Sequence, residues 1–338
     1  MKKHLLKILK VVLSVAIGFG IFSLIIGFTG FGKIFDVFSK SPILPLILFM
    51  GISFFIDGFL ALRWHTILKY MGFKTNFFRI LSYRWMGYAV SYSTPSAHVG
   101  GEPVRALMLK KEGVETSDAF SSVILDKSIE MAGYIIFSAI GLFMVLLTFN
   151  IASSFTYIAM FLALAITAFL IIVFFTKLKR NERIFVKLFK KFRLDRFKFV
   201  KKFIHKVEEI EISMSGFMNH GSKGFHQCVT ITLLLWIFMY VEYYFGLKMI
   251  GVSPSLSGIF LIGVFIAISY AVPIPGALGA LEAGQISIFT LLGYSPSQAI
   301  AFSLLIRARD IMRTLIGYFF LSHHGIKFFK FFSKKDKN

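Results

Sequence analysis

Cysteine is all but missing from this chain. Cys228 stands alone among 338 residues, which excludes an intrachain disulfide and any metal site built from several cysteines. Acidic residues are scarce too, 17 Asp and Glu against 38 Lys and Arg, for a formal net charge of +21. In a water-soluble chain a pI near 10.0 would put nucleic acid first among candidate partners. Here most basic residues lie in connections between long apolar runs, the pattern of the cytoplasmic Lys and Arg excess of membrane proteins, and no nucleic-acid partner is expected. No nucleotide-binding loop of the Walker type is present. No Ser/His/Asp set, metal-ligand cluster or nucleophile motif stands out, so the sequence points to no ATP-driven step, no cofactor and no recognisable catalysis.

Apolar residues are what the chain has in excess. They make up 56% of it, 42 of them Phe, and the mean hydropathy is +0.74. No water-soluble domain keeps that balance without burying nearly all its surface, so lipid is the main solvent. The expected fold is all-α, a polytopic transmembrane helix bundle. A window of about 19 residues places spans at Ile8–Phe28, Ile43–Leu62, Ile129–Phe149, Phe155–Phe175, Cys228–Leu247, Leu256–Val272 and Ala299–Leu321. The first follows Lys2, Lys3, Lys7 and Lys10 like a signal peptide, but it is long enough to span and is read as an uncleaved first helix. The whole, 1–338, reads as one integral membrane domain: a first half (1–175), a basic amphipathic loop (176–224) and a second half (225–338).

Two further apolar stretches are broken, Phe77–Leu109 around Ser93-Thr94-Pro95 and Val272–Leu292 around Pro273-Ile274-Pro275-Gly276. The N-terminus, the Arg63–Arg84 connection, Lys177–Lys206 and the Lys327–Lys337 tail are basic, and all four are expected to face the cytoplasm of a cell membrane, both termini included. That assignment requires each broken stretch to enter and return on its own side, giving two oppositely inserted re-entrant helical hairpins. Within 177–206, Phe185, Leu188, Phe189, Phe192, Phe197 and Phe203 alternate with Lys and Arg, as in an amphipathic helix pair lying on anionic inner-leaflet lipids.

The breaks carry the chemistry. One reads Thr94-Pro95-Ser96-Ala97-His98-Val99-Gly100-Gly101-Glu102-Pro103-Val104-Arg105, the other Pro273-Ile274-Pro275-Gly276-Ala277-Leu278-Gly279-Ala280-Leu281-Glu282. In each, a Pro precedes a Glu by seven positions with small residues between. Pro removes a backbone donor and Gly permits unusual dihedrals, so each motif ends one half-helix and starts another. The amides at the new N-terminus form a nest that suits a phosphate. A plainer reading stands beside it, in which the glycines only let helices pack closely. Two motifs of matched spacing and opposed insertion follow the plan of transporters. Ionisable residues add to this. Asp126, Lys127 and Glu130 open the helix after the first break, both carboxylates on one face. Arg307, Arg309, Asp310 and Arg313 lie within the last span, where each unpaired charge costs at least about 2.5–3.5 kcal/mol. Asp310 can pair with Arg307 or Arg313 at i,i+3 and be structural. Alternatively Arg105 and Arg307 hold a lipid phosphate in bidentate fashion, with Glu102, Asp126 and Glu282 orienting them or receiving an amine or a coupling proton.

Gly100 to Arg105, followed by Ser122-Val123-Ile124-Leu125-Asp126-Lys127, and then Pro273 to Glu282 with Arg307 downstream, resemble the family of the lysylphosphatidylglycerol synthase transmembrane region, the flippase-like domain. The resemblance covers nearly the whole chain. It implies two re-entrant hairpins and movement of a phospholipid or glycolipid headgroup between leaflets, and Gly100, Gly101, Arg105, Asp126, Pro275, Gly276, Gly279, Glu282 and Arg307 fall on the motifs. Glu102, Glu130 and Asp310 join them as candidate substrate contacts. There are departures. The family often has a basic residue soon after the first motif's Pro, where this chain has Ser96, Ala97 and His98. Full-length synthases add a soluble aminoacyl-transfer domain, and this chain ends at Asn338, so synthase activity is expected to be absent. The leading expectation is a lipid translocator. The alternatives are an intramembrane enzyme acting on lipid-linked phosphates and an accessory subunit bound to a lipid-modifying enzyme; a homo-oligomer is compatible with any of them.

Overall fold

The computed structural model describes residues 20, 23–24, 27–96, 99–148, 154–191 and 198–323. Most of the Ile8–Phe28 span, His98, the Asn150 turn, residues 192–197 and the basic tail lie outside them. Among the described residues the chain forms twelve α-helices and no strand: α1 (Phe31–Ser39), α2 (Ile43–Tyr70), α3 (Phe77–Ser93), α4 (Glu102–Lys111), α5 (Thr116–Thr148), α6 (Ser154–Lys179), α7 (Ile184–Lys191), α8 (Lys198–His220), α9 (Ser222–Met249), α10 (Leu256–Ala271), α11 (Ala280–Leu291) and α12 (Pro296–His323). A 3-10 turn, Pro275–Ala277, lies between α10 and α11. The all-α membrane bundle expected from composition is what the chain adopts.

Ile43–Tyr70, Phe161–Lys179 and Ser222–Met249 are long and apolar enough to cross a membrane by length and composition. The 28 residues of α2 extend roughly 42 Å at the α-helical rise. α6 shows Phe161, Leu162, Ile166, Phe169, Leu170 and Ile172 on its surface, as expected of a helix solvated by lipid.

Several boundaries differ from those read in the sequence. α2 runs to Tyr70, past Leu62, because Arg63 lies buried inside the helix rather than opening a basic loop. α5 begins at Thr116, so Asp126, Lys127 and Glu130 sit in its interior rather than at its start. α8 continues beyond residue 206, and Met214, Phe217 and Met218 near its end are core. The two interruptions fall where the Pro and Gly residues put them, with α3 ending at Ser93 and α10 at Ala271. Val272 and Ile274 are both extended, the conformation that a following proline imposes.

The described chain divides into two compact units. One comprises residues up to Ile56, Ser82–Val104 and Ile237 onward. In it α10 packs on α11, and α11 and α1 pack on α12, around an aromatic core that includes Phe49, Phe289 and Phe302. A Cβ on Gly246 would come within 2.9 Å of the Phe49 and Phe302 rings, so glycine there is a packing requirement. The other comprises Asp57–Leu81 and Arg105–Trp236. There α8 packs against α5, α6 and α7, over a core of Ile67, Leu125, Ile129, Leu178, Met214, Phe217, Met218 and Cys228.

Candidate functional site

In the first unit the site grows out of the second helix break. Gly276 (φ 57°) and Gly279 (φ 77°) take left-handed dihedrals that a side chain resists. They turn the chain so that α11 starts at Ala280 with Glu282 in its first turn. One carboxylate oxygen of Glu282 accepts from the Gly279 amide at 2.9 Å, capping the helix it belongs to. The same carboxylate accepts from Arg307 through Nε and, at 2.8 Å, through Nη2. Arg307 donates further to the carbonyls of Gly276 (2.9 Å) and Ala277 (3.3 Å). The break is therefore fastened by a guanidinium that satisfies carbonyls no helix can use. Tyr92, near the end of α3, packs on Gly276, where a Cβ would come within 2.9 Å of its ring, and it interacts with Arg307. The two interruptions meet there.

A second set of charges continues the cluster along α12. Arg309 donates to Glu242 of α9 and to Asp310, each at 2.9 Å. Asp310 also accepts from the Tyr270 hydroxyl and lies 3.9 Å from Arg313. Arg313 donates to the Ser53 carbonyl at 2.9 Å, and the Ser53 hydroxyl donates to Glu242. Three carboxylates thus face three guanidiniums, all buried. Of the i,i+3 pairs open in the sequence, Asp310 keeps the looser one to Arg313, while Arg307 turns to Glu282.

The second unit holds its own cluster. Asp126 and Glu130 of α5 share a face, as their spacing demands, and both bind Arg63, at 2.7 and 2.9 Å. Arg63 also reaches Thr232 at 3.4 Å. Arg105 donates to the other oxygen of Asp126 at 2.6 Å, and its guanidinium lies 4.1 Å from the centroid of the Trp64 ring, a cation–π contact. Trp64 is fixed by its indole N–H to Ser122 at 3.2 Å, and Lys127 bonds Glu130 at 2.6 Å. Arg63, Arg105 and Lys127 are thus all tied to the two carboxylates Asp126 and Glu130.

Set against the sequence reading, Arg105, Asp126 and Glu130 come together, as do Gly276, Gly279, Glu282 and Arg307 within the first unit, with Pro275 opening the turn and Asp310 in the adjoining ladder. Glu102 is the first residue of α4. Gly100 and Gly101 follow the plainer reading. A Cβ on Gly101 would fall 1.7 Å from the Gly87 carbonyl oxygen of α3, and one on Gly100 within 2.4 Å of Thr94 Oγ1. The Gly101 amide goes to Ser91 at 2.8 Å. One amide at each break is thus satisfied by the protein itself, Gly279 by Glu282 and Gly101 by Ser91. Three partners escaped the sequence reading. Glu242 had a signal, an acid in the middle of an apolar span. Arg63 stood one residue beyond a span edge, and Tyr270 carried no mark.

The chain matches the description "Lysylphosphatidylglycerol synthase TM region" over residues 11–317. A UPF0104 membrane protein of Methanocaldococcus jannaschii is 26% identical over 330 residues, 93% of this chain and 94% of the relative. A UPF0104 membrane protein of Methanothermobacter thermautotrophicus is 23% identical over 313 residues, 90% of each, and one of Pyrococcus horikoshii is 23% identical over 276 residues, 76% of this chain and 80% of the relative. With the match spanning both helix breaks, both charged clusters and Arg307, the chain belongs to the family of the lysylphosphatidylglycerol synthase transmembrane region.

Proposed function

We propose that the protein translocates a lipid by holding the phosphate of its headgroup on buried arginine, Arg307 above all. One observation carries this reading: Arg307, buried in an apolar protein, is held edge-on by a carboxylate at a helix break whose backbone it also fastens. A phosphate presents the same pair of oxygens as Glu282. Exchange of one for the other keeps the guanidinium satisfied, whereas a neutral molecule would leave a buried charge unpaired, at several kcal/mol. Glu282, once released, takes up a proton or a cation, which couples movement to an ion rather than to ATP. The Arg105 cluster offers the same exchange at Asp126.

The same proposal has the breaks at 94–101 and 272–279 serve as the tips of two oppositely inserted re-entrant hairpins. The matched motifs and their meeting at Tyr92 and Gly276 support that reading. The termini lie in the cytoplasm. α7, with Phe185 and Leu188 exposed beside Lys187 and Lys191, rests on the anionic leaflet.

The test is reconstitution in proteoliposomes with labelled phospholipids, scoring leaflet accessibility for wild type, Arg105→Ala, Glu282→Ala and Arg307→Ala. Wild type is expected to exchange lipid faster than empty vesicles and the variants to lose most of that gain. Equal exchange by all four would end the proposal, and a hydrolysed lipid in the wild-type sample would replace it with an enzyme.

A further inference from the structure

α11 turns one stripe inward, formed by Leu281, Glu282, Gln285, Ile288 and Phe289. Gln285 is the misfit. Its side chain is fully buried, and among the described residues neither Oε1 nor Nε2 has a hydrogen-bond partner. A buried carboxamide left unpaired costs stability, and an apolar side chain of similar size would avoid the cost. Nothing in packing accounts for an amide here.

Its position gives it a use. α11 lies against α12 with Glu282 bonded to Arg307 and the Phe289 ring 5.8 Å from Phe302. Along the buried stripe of α11, Gln285 falls between Glu282 and Phe289. One helical turn separates it from the carboxylate that holds Arg307. It is the polar residue that follows Glu282 along that stripe, ahead of Ile288 and Phe289.

We infer that Gln285 receives the neutral, hydroxyl-bearing part of the headgroup whose phosphate engages Arg307; the inference rests on the translocation reading and specifies its substrate class. The chemistry decides the class. A carboxamide has a donor pair and an acceptor and carries no charge. A hydroxyl both gives and accepts hydrogen bonds, so glycerol or sugar hydroxyls satisfy both ends of the amide. An ammonium group only donates; it would serve Oε1 and leave Nε2 stranded. A bare phosphate monoester, with no further hydroxyl, would leave the amide as it is. Headgroups of the phosphatidylglycerol or glycosyl-phosphate kind fit Arg307 and Gln285 together.

The full chain, purified in detergent, is titrated with phosphatidylglycerol, phosphatidate and phosphatidylethanolamine, and binding is read as thermal stabilisation, which needs no transport. Gln285→Leu and Gln285→Met are compared with wild type. Without lipid the variants are expected to melt no lower than wild type, because a buried amide has been replaced by an apolar group. Wild type is expected to prefer phosphatidylglycerol over phosphatidate by about tenfold, and the variants to lose that preference while keeping phosphatidate affinity. Phosphatidylglycerol affinity unchanged in a stable variant, or a loss confined to phosphatidylethanolamine, would overturn the inference. So would a melting temperature that falls in both variants with lipid preference intact. Leaflet accessibility of the same lipids in vesicles tests translocation separately. If phosphatidylglycerol binds through Gln285 but does not cross, the translocation reading fails and the site remains.

Discussion

Asp126 is the residue on which the second cluster turns. Its two oxygens hold Arg63 at 2.7 Å and Arg105 at 2.6 Å, and its side chain is fully buried. Changing Asp126 to Asn keeps the shape and removes the charge. Two guanidiniums, Arg63 and Arg105, then lose their ionic bond to this carboxylate. Breaking a buried pair from one side costs about 3–5 kcal/mol, and Asp126→Asn is expected at the upper end because it breaks two. Arg63→Met acts differently. Arg105 still bonds Asp126 and Lys127 still bonds Glu130, so each carboxylate keeps a cation, and the expected cost is about 1–3 kcal/mol, mostly from lost hydrogen bonds. The double variant is expected to be milder than the sum of the singles, a coupling of more than about 1 kcal/mol. Equilibrium unfolding in mixed micelles of the four proteins gives the cycle. If Arg63→Met costs as much as Asp126→Asn, or the two add without coupling, the charge argument is wrong.

Other consequences follow from the packing. Gly101→Ala would set a Cβ against the Gly87 carbonyl, so unfolding measurements should show a loss of about 3 kcal/mol or more. Gly51→Ala, with open space around it in the middle of α2, should instead stabilise by about 0.5–1 kcal/mol. Glu211, buried, accepts the Phe185 and Val186 amides at 2.6 and 3.3 Å and so caps α7. Glu211→Gln should cost about 0.5–2 kcal/mol locally, seen as faster amide exchange confined to α7. Arg79→Ala removes an exposed ion pair to Glu112 and should change the melting free energy by less than about 1 kcal/mol.

Much of this is legible in the sequence. Leu256–Val272 was read almost to the residue, since an uninterrupted apolar run meets Pro273 and the helix has nowhere to continue. The partnership of Asp126 with Glu130 was legible because helical spacing puts them on one face. For Arg307 the sequence leaves two readings open, a pair with Asp310 at i,i+3 or an orienting Glu282 across two helices, and only the fold selects Glu282. Arg63 was misplaced for a related reason. A hydropathy window stops at a charge, and only the carboxylates of α5 make it tolerable inside α2. The glycines show the limit of motif reading, for Gly276 and Gly279 shape the break while Gly101 makes room for α3, and composition alone does not separate the two uses.

The central claim is that a buried guanidinium exchanges a carboxylate for a lipid phosphate. Arg307→Lys keeps the charge but removes the planar fork that fits either group. The deciding measurement is the initial rate at which wild type and Arg307→Lys equilibrate phosphatidylglycerol between the leaflets of protein-containing vesicles. The account predicts a rate at least about tenfold lower for the lysine variant, the fork's two aligned bonds being lost, in a protein that still folds. Equal rates from two folded proteins would contradict it.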